Sequence, residues 1–204
     1  MTVDRLVTIA ALGRYLAVDA VVERELVARL RRGDAGAFDE IYAWMRPRLW
    51  SFLARMTGRR DVADDLAQEV WLRLARNAHK LADDTRLPAW LFTVARNLYV
   101  SQWRSAQAAR ALAGDLLPPK ALAASPFEAA AESQTAARVE RAIAGLPPSY
   151  REIVLLCTVE GLAPRDAAAV LGVTPEAARQ RLSRARAMIE AALGDLARYP
   201  GGEP

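Results

Sequence analysis

Apolar residues recur every three or four positions along two stretches of the chain, residues 23–110 and residues 135–197. This spacing matches the turn of an α-helix, and no segment alternates apolar and polar residues as a half-buried strand does. Glycine- and proline-containing breaks divide each stretch into successive helices. Residues 111–134 are instead rich in alanine, contain prolines and carry no sustained apolar stripe, which is typical of a linker.

The pattern therefore predicts an all-α protein with two small helical domains joined by a flexible linker, the second with a helix-turn-helix. A chain of 204 residues accommodates two domains of this size. We expect an N-terminal extension, a first domain, a linker, a second domain and a C-terminal tail at residues 1–22, 23–110, 111–134, 135–198 and 199–204.

The helix-turn-helix prediction depends on the signals around Gly172. A short apolar helix beginning at Pro164 is expected to end there, because glycine adopts the left-handed backbone at low cost. Thr174 then suits the N-cap of the next helix, and Pro175 its first position. Two helices joined by so short a glycine-containing turn form the helix-turn-helix motif.

The second helix of this motif has an apolar side and an arginine-rich side. Ala178, Leu182, Ala185 and Ile189 share the predicted buried stripe. Long cations beside a row of polar side chains suit phosphates and base edges in a DNA major groove, although a solvated arginine-rich helix is the alternative. The candidate DNA-binding residues are Thr174, Glu176, Arg179, Gln180, Arg181, Ser183, Arg184 and Arg186.

In the first domain, the segment DDLAQEVWL (64–72) belongs to a helix with one acidic face. Leu72 projects among the acidic and amide side chains, whereas the core stripe is made by Val62, Ala63, Leu66, Ala67, Val70 and Leu74. Phosphate would repel carboxylates, so an apolar side chain within such a face favours a protein partner. A solvated face with one exposed leucine is the alternative. The candidate residues are Asp61, Asp65, Gln68, Glu69 and Leu72.

The following helix, which Pro88 is predicted to open, carries no acidic residue between residues 86 and 104. Its predicted buried stripe is Leu91, Phe92, Ala95, Leu98 and Tyr99. Cations beside an accessible aromatic ring suit single-stranded nucleic acid, although Trp103 is equally compatible with a core position. The preceding polar segment could form a pocket for an unstacked base. The candidate residues are Asn77, His79, Lys80, Arg96, Asn97, Trp103 and Arg104.

Charge, the cysteine and histidine counts and the N-terminal segment limit the classes of protein that fit this sequence. A net charge of +4 is weak support for a polyanionic partner. With one cysteine, Cys157, and one histidine, the chain offers no metal-ligand spacing, no paired nucleophile and base, and no phosphate-binding loop. We therefore expect no cofactor, no metal and no catalytic site. An N-terminal apolar patch interrupted by Asp4 and Arg14 predicts no signal peptide, and we expect a cytoplasmic protein without membrane insertion.

The order of the motifs resembles bacterial extracytoplasmic-function sigma factors. Residues 37–42 (AFDEIY), 61–71 (DVADDLAQEVW) and 89–97 (AWLFTVARN) resemble region two of that family. Residues 146–162 and 171–186 resemble its region four. The similarity spans about residues 25–193, and both motifs occur in the family's order on either side of a linker.

The resemblance implies an alternative sigma factor that binds core RNA polymerase, recognises the minus-ten and minus-thirty-five promoter elements and directs transcription initiation. The acidic face would bind core polymerase, and residues 77–104 would bind the minus-ten element. The second helix of the helix-turn-helix would bind the minus-thirty-five element. An anti-sigma factor is a further expected partner. The alternative function is a stand-alone helix-turn-helix transcriptional regulator, which would leave the acidic face and the basic aromatic helix unexplained.

Two positions depart from the family pattern. Ser101 stands where the family often has an acidic residue after the Arg-Asn pair, and the basic cluster that follows is thin. Gln180 stands at the usual serine position of the recognition helix. Glutamine can bond adenine N6 and N7, so a shifted base preference is expected.

Overall fold

The protein is described by a computed structural model covering residues 20–112 and 134–198, with side chains through residue 194. These residues form eight α-helices and no strand, which confirms the all-α prediction. The predicted linker, N-terminal extension and C-terminal tail lie almost wholly outside the described residues. The helices are α1 (Ala20–Arg31), α2 (Ala35–Thr57), α3 (Arg60–Asn77), α4 (Leu87–Leu112), α5 (Gln134–Ala144), α6 (Pro148–Val154), α7 (Pro164–Leu171) and α8 (Pro175–Arg198).

Local caps separate the first three helices. The Asp34 carboxylate accepts hydrogen bonds from the backbone N–H groups of Gly36 at 2.8 Å and Ala37 at 3.2 Å, which starts α2. Gly58, with φ of 66°, ends α2 in the left-handed conformation that glycine adopts without a steric penalty. A 3₁₀ turn, Ala78–Lys80, follows α3.

The core of the first four helices is built on the apolar stripe of α2. Ile41, Met45, Leu49 and Leu53 are fully buried, and Phe52 meets Phe92 of α4 edge-to-face with 5.4 Å between ring centroids. The predicted stripe of α3 is buried except for Val62, which is half-buried. Leu98 and Tyr99 of α4 are also only half-buried, because the later part of α4 extends into solvent beyond its neighbours.

The turn between α7 and α8 has the predicted helix-turn-helix geometry. Gly172 has φ of 64°, and the Thr174 Oγ1 accepts a hydrogen bond from the Ala177 N–H at 3.1 Å as the N-cap of α8. The predicted stripe of Ala178, Leu182, Ala185 and Ile189 is buried. Before this motif, α6 continues into a π-helical turn, Leu155–Val159, whose leucines are also buried.

The N-terminal and C-terminal helices pack against one another: α4 contacts α7, and α2 contacts α6. A buried arginine also joins the C-terminal helices to one another. The Arg151 guanidinium, almost fully buried, donates to the carbonyl oxygens of Ile143 at 3.3 Å and Leu146 at 3.0 Å. These bonds satisfy carbonyl groups at and just after the end of α5 that have no helical partner.

Candidate functional site

The acidic face of α3 is a continuous exposed surface. Asp61, Asp65, Gln68 and Leu72 follow one another at steps of four, three and four residues, so they share one side of the helix. At about 1.5 Å of rise per residue this face is roughly 16 Å long. Leu72 is 42% exposed, which confirms that it projects from the acidic face.

The carboxylates of this helix differ in their surroundings. Asp61 is paired with the Arg59 guanidinium, and this hydrogen bond, more than any other cause, lowers the pKa of the Asp61 carboxyl. Glu69 accepts from Arg73 Nε at 2.8 Å on the helix surface. Asp64 accepts from the Trp50 indole N–H at 2.7 Å and so joins α3 to α2. Asp65 is exposed at the middle of the face.

An aromatic cluster that the sequence analysis missed borders the acidic face. Tyr42 and Trp71 meet edge-to-face at 4.8 Å, and Phe38 lies 6.3 Å from each ring. Tyr42 remains 36% exposed beside the buried Trp71. The spacing of Phe38 and Tyr42 by one helical turn was the signal in the sequence. The cluster gives the acidic face an apolar border next to Leu72.

The basic aromatic surface lies on the 3₁₀ turn and on α4. His79 and Lys80 are exposed, whereas Asn77 is half-buried and donates its side-chain amide to the Arg73 carbonyl oxygen at 2.8 Å. Trp103 is 49% exposed, so a core position for this ring is excluded. Asn97 and Arg104 are exposed as well and lie two helical turns apart. A ring and a cation are thus both accessible along this part of α4.

Arg96, the fourth candidate residue of α4, points instead toward the C-terminal helices. Its Nε donates to Glu152 Oε1 of α6 at 3.2 Å. Burial raises the pKa of the Glu152 carboxyl, and the nearby guanidinium groups of Arg96 and Arg181 partly offset that effect. Glu152 therefore joins one candidate DNA-binding residue, Arg96, to the C-terminal helices.

The exposed side of α8 carries most of the remaining candidates. Glu176, Arg179, Gln180, Ser183, Arg184 and Arg186 are exposed, whereas Arg181 is half-buried. Arg179 forms an ion pair with Glu176 one turn earlier. Thr174 is exposed but its hydroxyl oxygen is engaged as the N-cap. Gln180, Ser183 and Arg184 lie at the centre of this exposed side and project outward.

No cluster of three potential metal ligands occurs in residues 20–112 and 134–194. Cys157 is half-buried, and burial raises the pKa of its thiol to about 11. At neutral pH this thiol is protonated and a poor nucleophile. Within the described part of the chain, no helix is long and apolar enough to cross a membrane.

Comparison with known proteins identifies the family. The family model for Sigma-70 region 2 matches residues 41–109. The family model for Sigma-70, region 4 matches residues 136–189. The RNA polymerase sigma factor CarQ of Myxococcus xanthus is 32% identical over 168 residues, covering 82% of this chain and 95% of CarQ. The ECF RNA polymerase sigma factor EcfG of Rhodopseudomonas palustris is 35% identical over 155 residues, covering 76% of this chain and 83% of EcfG.

The chain belongs to the extracytoplasmic-function sigma factors. Among solved structures, the sigma factor RpoE of Bartonella quintana, in complex with the anti-sigma factor NepR, superposes with a TM-score of 0.65 at 25% identity. That similarity covers 77% of this chain and 96% of RpoE. CnrH, in complex with the cytosolic domain of CnrY, also gives a TM-score of 0.65 at 25% identity, covering 87% of this chain and 99% of CnrH.

Membership in the family establishes the general function of this sigma factor. Sigma factors are initiation subunits of RNA polymerase that bind core polymerase and promoter DNA and are not catalytic themselves, and this one directs transcription initiation as an alternative sigma factor. Helices α2 to α4 carry its region two, and α5 to α8 its region four. The matches give no support to the alternative of a stand-alone helix-turn-helix regulator.

Proposed function

We propose that this sigma factor divides its partners among three surfaces. The acidic face of α3 binds core RNA polymerase, the turn after α3 together with α4 binds the minus-ten element, and α8 reads the minus-thirty-five element. The residues assigned to core polymerase are Asp61, Asp65, Gln68, Glu69 and Leu72. Those assigned to the minus-ten element are Asn77, His79, Lys80, Arg96, Asn97, Trp103 and Arg104. Those assigned to the minus-thirty-five element are Thr174, Glu176, Arg179, Gln180, Arg181, Ser183, Arg184 and Arg186.

The separation of charge between helices is the observation that carries this assignment. The exposed side of α3 presents Asp65 and Gln68 around Leu72, a surface that DNA phosphate would repel and that a protein can bury. The accessible part of α4 presents Trp103 and Arg104 and no acid, which suits an unstacked base and its backbone. Extruding a base costs a few kcal/mol, which stacking on such a ring can offset.

The wider organisation follows from the same assignment. We propose functional domains at residues 23–110 and 135–198, each carrying its own DNA-binding surface, in a cytoplasmic protein without a catalytic site of its own. Gln180 on the exposed side of α8 is assigned to an adenine of the minus-thirty-five element. The RpoE and CnrH structures contain an anti-sigma factor and a cytosolic partner domain, respectively, and we propose an anti-sigma factor for this chain as well.

Reconstituted transcription tests the proposal. Purified protein added to sigma-free core polymerase is expected to give promoter-specific transcripts. Charge reversal at the two central carboxylates, Asp65→Lys with Glu69→Lys, is expected to weaken core binding at least tenfold because it removes the acidic face. DNA binding by α8 should be unchanged, since that helix lies in the other region.

The matched control is Glu25→Lys on α1. Glu25 is exposed and paired with Arg32, much as Glu69 is paired with Arg73, but it lies outside the assigned surfaces. We expect normal core affinity for this variant. Normal core binding by the doubly reversed variant would contradict the assignment, whereas equal loss of core binding and DNA binding would indicate misfolding instead.

A further inference from the structure

The C-terminal part of α4 continues beyond the core that holds its first half. Every residue from Ser101 to Leu112 is exposed, except Gln107, which is half-buried. At about 1.5 Å of rise per residue this part of the helix is roughly 17 Å long. A helix that is exposed on every side buries no apolar stripe against its neighbours. Packing within region two therefore does not explain why α4 extends so far.

The sequence of this part explains how it stays helical without burial. Residues 106–112 read AQAARAL, and four of these seven residues are alanine. Alanine, leucine, arginine and glutamine are among the strongest helix formers, so local propensity favours the helix where packing does not. Alanine side chains are also short, so another molecule can come close to the helix.

The charge of α4 indicates which kind of molecule that is. The helix has 26 residues, with three arginines and no acidic residue. Arg96 is paired with Glu152, whereas Arg104 and Arg110 are exposed. Within the described part of the chain, no carboxylate pairs with Arg104 or Arg110. An exposed surface with cations and no acid suits a polyanion such as DNA.

The position of Arg110 is set by its register with Trp103. It follows Trp103 by seven residues, so the two side chains differ by only about 20° around the helix axis. Along the axis they are about 10 Å apart. A DNA duplex rises about 3.4 Å per base pair, so a ring stacked on the first unpaired base places Arg110 about three base pairs away. Residues 113–133 lead from this end of α4 to region four, whose element lies upstream.

We propose that the exposed end of α4 binds the phosphate backbone of the double-stranded DNA immediately upstream of the minus-ten element, with Arg110 as the main contact. The inference rests on the proposed function, in which Trp103 stacks on an unpaired base of that element. The Gln107 amide, on the same side of α4, donates a second hydrogen bond to this backbone. Trp103 then lies at the junction between unpaired and paired DNA. A phosphate contact there positions the duplex and adds affinity without a base preference.

Two DNA probes separate the paired DNA from the unpaired element. Both come from upstream of a transcript start that appears only when this protein is overproduced. The first is a single strand that carries the minus-ten element alone. The second continues that strand upstream as a short duplex that ends before the minus-thirty-five element, so that region four has no site on it. Both are titrated with holoenzyme assembled from the full chain and sigma-free core polymerase.

Arg110→Ala is expected to weaken binding of the second probe on the order of five- to tenfold at about 0.1 M salt. The dependence of log affinity on log salt should become shallower by about one, because one phosphate contact is lost. Binding of the single-stranded probe should not change. The free energy of unfolding should not change either, since the side chain is exposed and alanine favours the helix.

Two control variants accompany this measurement. Arg110→Lys keeps the positive charge and should keep the salt dependence of the unaltered protein. Arg24→Ala removes an exposed arginine from α1, where its Nε donates to the Ala20 carbonyl oxygen of the same helix at 3.2 Å. It changes the net charge by the same amount as Arg110→Ala, and we expect unchanged binding of both probes.

Neutral linkages in the duplex locate the contact. One phosphate at a time is replaced by a methylphosphonate. The unaltered holoenzyme is expected to lose affinity when the linkage about three base pairs upstream of the first unpaired base is neutral. Holoenzyme with Arg110→Ala should be insensitive to that replacement. Equal sensitivity of the two proteins at every upstream linkage would overturn the inference.

The other outcomes separate this inference from the proposed function. Unchanged binding of the second probe by Arg110→Ala, an equal loss on both probes, or a loss of core binding would also overturn the inference. Trp103→Ala is expected to weaken both probes, because both contain the unpaired base. If it does so while Arg110→Ala weakens neither, only the upstream contact is refuted. If the unaltered holoenzyme binds neither probe, the minus-ten assignment is wrong and the upstream contact is refuted with it.

Discussion

At the scale of single residues, Trp103 shows how exposure separates a functional side chain from a core one. Its indole is 49% exposed on α4, whereas Trp71 on α3 is buried within the aromatic cluster. An exposed tryptophan contributes little to folding, and here it is available to stack on a base. Trp103→Ala is therefore expected to slow promoter opening without lowering the free energy of unfolding.

The size of that effect follows from base stacking. Loss of one stacked base costs about 1–3 kcal/mol, which corresponds to roughly a 5- to 150-fold loss in open complexes, measured by permanganate reactivity of the unpaired strand. Trp71→Ala is the contrasting variant, because removal of a buried ring costs about 3–5 kcal/mol of stability. Unaltered promoter opening by Trp103→Ala would remove the ring from the minus-ten surface.

At the scale of elements, the start of α4 depends on a residue from α1. Glu23 is 5% exposed, and its Oε1 accepts a hydrogen bond from the backbone N–H of Leu87 at 2.7 Å. This carboxylate satisfies one of the unpaired N–H groups at the beginning of the helix that carries Arg96 and Trp103. Glu23→Ala is expected to lower the free energy of unfolding by about 1–3 kcal/mol, because the buried N–H is left without an acceptor.

Urea unfolding measures this effect against two reference variants. Glu23→Gln keeps an oxygen that can accept from Leu87, so it should lose less stability than Glu23→Ala. Glu25→Ala, at an exposed neighbouring position, is expected to stay within about 0.5 kcal/mol of the unaltered protein. Equal stability of Glu23→Ala and Glu25→Ala would show that the cap contributes nothing to α4.

Elements were more predictable from the sequence than the contacts between them. Each helix is predicted from residues a few positions apart, as in the apolar periodicity, the glycine at residue 172 and the cap at Thr174. These signals are therefore local. Arg48 and Glu160 are charged residues in apolar segments, which marks each as unusual, but they lie 112 positions apart. No local pattern could pair them, and the same holds for Glu23 with Leu87.

At the scale of the whole molecule, the buried Glu160 makes the packing of the two regions sensitive to pH. Burial raises the pKa of this carboxyl from 4.5 to about 7, although Arg48, which donates to it, and the nearby Arg55 both act in the opposite direction. Between about pH 4.5 and pH 7, Glu160 is therefore protonated in the native protein and ionised in the unfolded chain. The stability contributed by this group is largest below about pH 4.5 and is lost as the pH rises to about 7.

Glu160→Gln isolates this effect, since an amide of nearly the same shape does not titrate. The free energy of unfolding of the variant minus that of the unaltered protein should rise between about pH 5 and pH 7 and then level off. Glu40→Gln, which removes an exposed negative charge paired with Arg29, corrects for the change in net charge. A difference that falls with rising pH would mean that Arg48 outweighs burial and that Glu160 is ionised in the folded protein.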